Sequence, residues 1–430
     1  MTGRTKGLLA LSPLLVFLAV YLVSSFIARD FYKVPIASAF LIASGYALVI
    51  TPAGSINERI AVFSRGAGHS NVLLMIWIFV MAGAFASTAK AIGSIDATVN
   101  ITLQLLPGRF ILMGLFVASC FISMAIGTSV GTVVALVPIA SGLADGMGAP
   151  LALVLGAIVG GAFFGDNLSF ISDTTIAATK SQGCSMSDKF RTNIWIAAPA
   201  AVAVAVLYLF LGSGYDATPD AGGVNFVLLI PYISVIVLAI CGMNVLGVLS
   251  IGLLLNAVIG FCNGSFGWID FLGSVGEGIG NMGELIIVTM LAGGMLEIIR
   301  HNGGIDFIIN ALTRRIKGRR GAEFSIAALV AFANVCTANN TIAIITTGSI
   351  AKDISTHFGV DPRKSASILD TFSCIIQGIL PYGAQLLMAS GLAGISAIPI
   401  ITHLYYPLAL LVVAVLAIVF GFPRQRSLVR

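Results

Sequence analysis

Two short stretches of this chain set carboxylates, hydroxyls and amides inside runs that otherwise read as hydrocarbon-spanning helix. They are Gly165-Asp166-Asn167-Leu168-Ser169-Phe170-Ile171-Ser172-Asp173-Thr174-Thr175 and Thr337-Ala338-Asn339-Asn340-Thr341. An unpartnered polar group in hydrocarbon costs several kcal/mol and an ionised carboxylate more, so such residues face a protein-lined cavity and handle an ion or a polar solute. Two further runs interrupt apolar sequence: Gly127-Thr128-Ser129-Val130-Gly131-Thr132, and Gln377–Gln385, where Pro381 and Gly383 stop a helix from continuing and Tyr382 adds a hydroxyl. An unwound stretch frees backbone carbonyls, and these suit a hard monovalent cation together with the oxygens of Thr128, Ser129, Thr132, Asn339, Asn340 and Thr341. Sodium fits that ligand set, with Asp166 and Asp173 supplying negative charge.

A carboxylate in such a cavity binds a proton more tightly when desolvated and less tightly beside a cation. Bound sodium then favours loss of the proton, and protonation expels sodium. A protein that changes access only when occupied by one or the other exchanges them. Asp166 is the expected exchanging carboxylate, and sodium is expected at Asp166, Thr128 and Asn340, with Asn167, Ser169 and Thr174 alongside. Asp173 is either the partner of Asp166 or the N-cap of the apolar run after Thr174-Thr175. The two aspartates lie about two helical turns apart if helical, and Gly165 and the serines favour unwinding, so spacing leaves their geometry open. In the second half, Asp370 shares a face with Cys374 and Gln377, either lining a cavity or near the membrane edge, and Thr337 completes the expected set. Glu284 ranks lower, as does Glu297, which is spaced to pair with Arg300 or His301.

The elements that must position these residues are membrane helices. Of 430 residues 58% are hydrophobic and 10% charged, against roughly 25% charged in a soluble domain, and the mean hydropathy is +1.02. Leu8–Ile27, Val34–Thr51, Val72–Ala89, Phe110–Ile126, Ile194–Leu211, Phe226–Cys241 and Ile401–Phe420 approach or reach the length of a bilayer crossing, for about ten to twelve crossings in all. The first apolar stretch, after Arg4 and Lys6, is too long for a signal peptide and lacks a small-x-small cleavage site, so it reads as a retained helix. The net charge of +5 sits between apolar spans, where it reports topology rather than nucleic-acid binding. The six cysteines contain no CxxC and the four histidines no HExxH, so the expectation is no metal centre, haem or other cofactor, with sodium and the proton as cargo.

Shifted by 210 residues, Met81–Phe85 falls on Leu291–Met295, Gly93–Asp96 on Gly303–Asp306, Arg109 on Arg319 and, without a gap, Gly127–Thr132 on Thr337–Ile342. Such weak internal symmetry marks secondary transporters built from two repeats. Loop Asn100–Arg109 holds one basic residue, whereas Asn310–Arg320 holds Arg314, Arg315, Lys317, Arg319 and Arg320. Basic loops stay cytoplasmic, so the repeats are inverted, and Arg4, Lys6, Arg424, Arg426 and Arg430 place both termini on the cytoplasmic side. The expected fold is an all-α polytopic membrane protein with broken or re-entrant helices. Its expected organisation is N-terminal helices over 1–70, a first repeat over 71–211, polar loops and connecting helices over 212–282, and a second repeat with a C-terminal helix over 283–430. Within the connecting region, Asn263–Asn281 reads as a glycine-rich loop.

Gly127–Thr132, Pro138 and Gly165–Thr175 resemble the NhaC-type sodium/proton antiporters, whose pattern runs roughly G-D-x-x-S-P-I-S-D-T-T, with Phe170 here in the place of proline. The resemblance implies a bacterial-type inner-membrane carrier of the ion-transporter superfamily, with cation coupling implied more firmly than the exchanged solute. Its partners are sodium, protons and the lipid bilayer, with no nucleic acid. A homodimer follows from the frequent pairing of elevator carriers, while elevator and rocking motions stay open. The alternative is a sodium- or proton-coupled carrier of a small organic acid or amino acid, for which Asn339, Asn340, Gln377, Tyr382 and Gln385 would form the substrate site. An enzyme is not expected: an intramembrane aspartyl protease would need Asp166 beside Asp370 and leaves the repeat and the hydroxyl-rich breaks without a role.

Overall fold

A computed structural model describes residues 3–28, 34–52, 54–105, 107–169, 172–215, 225–241, 243–313 and 316–423. The expectations resting on Phe170, Ile171, Arg314, Arg315, Arg424, Arg426, Arg430 and most of loop 212–223 fall outside these residues. Every regular element among the described residues is a helix. Among the described residues nine stretches are long and apolar enough to cross a membrane by length and composition, and Ile36–Ile50, Phe226–Leu238 and Tyr405–Val419 are shorter apolar helices. Large side chains such as Leu15, Phe26 and Val49 lie on the outside, as a lipid-facing surface requires.

Four helices are broken where the polar runs predict. Gly108–Ile126 stops at Gly127, whose φ of +76° is left-handed, and after extended Thr128 the chain resumes as Ser129–Met147. Gly318–Thr337 stops at Ala338 with φ +50°, and after extended Asn339 it resumes as Asn340–His357. Glycine takes that conformation freely, whereas Ala338 bears a cost of about 1–2 kcal/mol. Leu151–Leu168 gives way to Asp173–Gln182, and Pro362–Ile379 to Ala384–Ala393.

Hydrogen bonds fix how these pieces run. Lys364 pairs with Glu323 at 2.9 Å, Asn334 Nδ2 donates to the Ser373 carbonyl at 2.6 Å, and Gln377 Nε2 to the Ala338 carbonyl at 3.1 Å. Contact positions advance together, so Gly318–Thr337 and Pro362–Ile379 run parallel, and Asn340–His357 between them returns the way the chain came. That is a re-entrant hairpin. In the first half, Ser123 Oγ to the Ala162 carbonyl (2.6 Å) and Ser129 N to Asp166 Oδ1 (2.9 Å) impose the same arrangement on Gly108–Ile126 and Leu151–Leu168.

The helix Met186–Gly212 relates the two hairpins. A Cβ on Gly212 would lie 2.4 Å from the Arg109 carbonyl oxygen at the base of the first hairpin, while just before the helix begins Gln182 accepts from Ser365 Oγ at 2.8 Å near the base of the second, and Lys189 meets Asp370 midway along Pro362–Ile379. The hairpins therefore enter from opposite faces, and the repeats are inverted as the loop charges predict.

The structure corrects the gapless alignment. The offset is 210 up to the hairpins (Gly93 with Gly303, Gly108 with Gly318) and 211 after their tips (Ser129 with Asn340, Leu151 with Pro362, Asp173 with Ala384). The extra residue lies in Gly318–Thr337, with 20 residues against 19 in Gly108–Ile126. Gly127 is thus the counterpart of Ala338, Thr128 of Asn339, and Asp166 of Gln377. A second correction concerns Asn263–Asn281, which is largely the helix Trp268–Asn281, begun by Asp270 Oδ2 accepting from the Gly267 N–H at 3.1 Å. One of its glycines serves close approach rather than a turn: a Cβ on Gly278 would lie 2.2 Å from the Gly83 carbonyl oxygen, and one on Gly83 equally close to that of Gly278.

Gly278→Ala should therefore lower the thermal unfolding temperature in detergent by forcing this crossing apart, at a cost of about 1–3 kcal/mol. Gly276→Ala, where a Cβ meets nothing within 4 Å, should leave it unchanged or slightly raised.

Candidate functional site

The two hairpin tips and the two discontinuous helices meet inside the protein. Four half-helices end there and four begin, so both unpaired carbonyls and unpaired N–H groups converge on one place. Asp166, the last carboxylate before the Leu151–Leu168 half-helix ends, is 5% exposed. Its Oδ1 accepts the Ser129 N–H (2.9 Å), a free donor at the start of a helix, and its Oδ2 accepts the Ser129 hydroxyl at 2.5 Å. The Asn340 side chain lies against the same carboxylate from the opposite hairpin. Ser129 Oγ accepts from Gln385 Nε2 at 2.8 Å, and Gln385 Oε1 accepts from Gln377 Nε2 at 3.1 Å. One chain of hydrogen bonds thus links the carboxylate of the first repeat to the amides of the second. Gln377 Oε1 has no hydrogen-bond partner among the described residues.

A second polar cluster lies on the other side of the Leu151–Leu168 end. Lys189 Nζ is 2.5 Å from Asp370 Oδ2, 2.6 Å from the Asn167 carbonyl oxygen and 2.7 Å from Thr175 Oγ1, with both charged side chains wholly buried. Asn193 Nδ2 donates to the Asn167 carbonyl (3.0 Å) and to Asp370 Oδ2 (3.3 Å), while its oxygen accepts from Ser367 and Thr371. The sequence reading missed Lys189 and Asn193, although their four-residue spacing on a helix capped by Ser185 sets them on one face. It also missed buried Glu323, which takes Lys364 at 2.9 Å and Arg319 at 3.3 Å where the second hairpin packs on the discontinuous helix.

The structure sorts the expected residues into groups. Asp166, Ser129, Asn340, Gln377 and Gln385 form the central network. Asn167, through its carbonyl, and Asp370 belong to the lysine cluster, and Thr174 donates to the Asp166 carbonyl at 3.3 Å beside Asp370. Ser169 Oγ donates to the Met124 carbonyl at 2.9 Å, securing a hairpin end. Thr128 is the N-cap of its helix without a side-chain cap bond, and the Thr132 hydroxyl bonds back to the Thr128 carbonyl at 3.2 Å. The Thr341 N–H donates to Asn340 Oδ1 at 3.1 Å. Asp173 is not brought to the cavity: it is exposed in the first turn, and Ser172 is the N-cap, accepting from the Thr175 N–H. Thr337, Asn339 and Tyr382 instead line a cavity of about 120 Å³ that opens toward His69, Glu297 and Arg300. Glu297 pairs with Arg300 at 3.4 Å.

Inverted hairpins, discontinuous helices and a buried carboxylate at their meeting point define a secondary transporter. The chain belongs to the Na+/H+ antiporter family, whose model matches residues 7–213 and 221–423. Among its relatives, the malate-2H(+)/Na(+)-lactate antiporter of Bacillus subtilis (strain 168) is 26% identical over 393 residues, covering 83% of this chain and 82% of that protein. The Na(+)/H(+) antiporter NhaC of Alkalihalophilus pseudofirmus is 21% identical, covering 95% of this chain and 93% of that one. The arginine/ornithine antiporter ArcD of Halobacterium salinarum is 23% identical, covering 83% and 79%.

Ser129→Ala should destabilise the protein by about 1.5–3 kcal/mol, since it strips a donor from the buried carboxylate and an acceptor from Gln385. Thr132→Val, which loses only a bond to its own helix, should change the unfolding temperature far less in the same detergent assay.

Proposed function

We propose that this protein exchanges sodium for protons across the membrane by alternating access, with Asp166 holding either cation. The observation that carries this reading is the chain from Asp166 through Ser129 and Gln385 to Gln377, which couples one buried carboxylate to neutral oxygens and amides of both repeats. Sodium takes the ionised carboxylate together with the Asn340 side chain and the oxygens of the opened helix ends. A proton on Oδ2 makes the carboxyl a donor. Ser129 Oγ must then turn from donor to acceptor, and the vacated Gln377 and Asn340 groups keep only neutral partners. Occupancy by sodium or by a proton neutralises the site, and the empty ionised site leaves a bare charge amid hydrocarbon, which opposes crossing without cargo. Membership of the family and the relative named NhaC support the assignment.

A second reading is favoured by one feature, the cavity that runs from Arg300 to Thr337, Asn339 and Tyr382 at the second hairpin tip. It would suit a small organic acid or amino acid carried with sodium or protons, in line with the names of two relatives. Proteoliposomes with an acidic lumen separate the two. External sodium should alkalinise the lumen with the native protein and with Asp173→Asn, and should fail with Asp166→Asn. Alkalinisation by a small organic acid or amino acid, with none from sodium alone, would give the second reading precedence.

A further inference from the structure

The lysine cluster has the composition of a cation site rather than of a simple ion pair. Lysine carries three N–H donors, and all three of Lys189 are used on oxygens: the Asp370 carboxylate, the Asn167 carbonyl and the Thr175 hydroxyl. One carboxylate, one carbonyl released by the end of a half-helix and one hydroxyl is the ligand set that broken membrane helices offer to alkali cations. The Asn193 amide keeps its nitrogen toward the cluster, because its oxygen would there face two acceptors, the Asn167 carbonyl and the Asp370 carboxylate, while on its other side it accepts from the Ser367 and Thr371 hydroxyls. Its nitrogen therefore bonds Asn167 and Asp370, holding both in place from outside. Asp370 Oδ1 has no hydrogen-bond partner among the described residues, so the carboxylate keeps an unused acceptor for a further ligand. The Asn167 carbonyl belongs to the residue after Asp166, which puts this cluster directly beside the central carboxylate.

We propose that Lys189 is a tethered cation filling an alkali-cation site made by Asp370, Asn167 and Thr175, and that removing its side chain leaves a site that takes a free sodium ion. An ammonium on a fixed stem cannot be exported. The native chain thus keeps one exchangeable carboxylate at the centre and one permanently compensated carboxylate next to it. Lys189 on the first repeat and Asp370 on the second also join the two halves through this filled site. The proposal concerns what the cluster binds and does not depend on which solute the native protein exchanges.

The test uses the full-length protein in detergent, comparing native, Lys189→Ala and Lys189→Ala/Asp370→Asn chains in sodium chloride and in choline chloride of equal ionic strength. Radioactive sodium bound per chain and the unfolding temperature are the two readouts. Lys189→Ala should bind one more sodium per chain than the native protein and should show a larger rise in unfolding temperature from choline to sodium. Both gains should vanish when Asp370→Asn is added. Adding Asp166→Asn to Lys189→Ala should leave the extra sodium in place, which separates this site from the central one. An unchanged sodium count, an equal salt response in native and Lys189→Ala chains, persistence of the gain with Asp370→Asn, or a Lys189→Ala chain unfolded in both salts would each overturn the proposal.

Discussion

A helix that stops within a bilayer leaves its last carbonyls and the first N–H groups of its successor without water to bond. Everything at the centre of this molecule answers that constraint. The Ser129 N–H is met by Asp166, the Ile342 N–H by Asn339, and the Thr175 N–H by Ser172. On the carbonyl side, Gln377 reaches Ala338, the Tyr382 hydroxyl reaches Val335 at 2.9 Å, Ser169 reaches Met124, and Lys189 reaches Asn167. Most of the polar residues at the breaks are therefore engaged in completing backbone. What remains after that accounting is the negative charge of Asp166 and a few amide oxygens, and function falls to this remainder.

Bringing four helix ends together also demands that the surrounding helices nearly touch. A Cβ on Gly165 would sit 2.2 Å from Ser123 Oγ, one on Gly161 2.4 Å from the Phe116 carbonyl oxygen, and one on Gly156 2.4 Å from that of His403. The Leu151–Leu168 half-helix presents these small residues to its neighbours, so lipid is excluded and backbones pack directly, the arrangement through which membrane helices associate without a hydrophobic driving force between them. The same close packing sets Asp166 at the hairpin tip, because the residue before it is the one in closest contact.

Much of this was legible in the chain. Apolar runs interrupted by hydroxyls and amides located the breaks, the arginines after Asn310 distinguished inverted from parallel repeats, and Asp166 stood out because an apolar half-helix gave it no ordinary reason to be there. Other features were not. A one-residue insertion in a helix of small apolar residues leaves no mark that a gapless comparison can register, so the pairing of Asp166 with Gln377 stayed hidden. Ser172 and Asp173 are both good N-caps, and only the backbone decides which one is used. Lys189 follows a polar loop, where lysines ordinarily mark the membrane face, and its burial depends on Asp370, 181 positions away in the chain. Glycines over Gly273–Gly280 suggest a loop until Gly83 is seen against Gly278.

The equivalence of Asp166 and Gln377 bears on direction. If both halves were identical, exchanging their conformations would turn the inward-facing molecule into an outward-facing one of equal energy, and cargo would meet the same affinity from either side. Here one repeat offers an acid and its counterpart an amide one methylene longer. The two states are then no longer mirror images in energy, and the membrane faces are distinguished at the centre of the protein by an ionisable carboxyl on one side of the pseudo-symmetry and a neutral amide on a longer stem on the other.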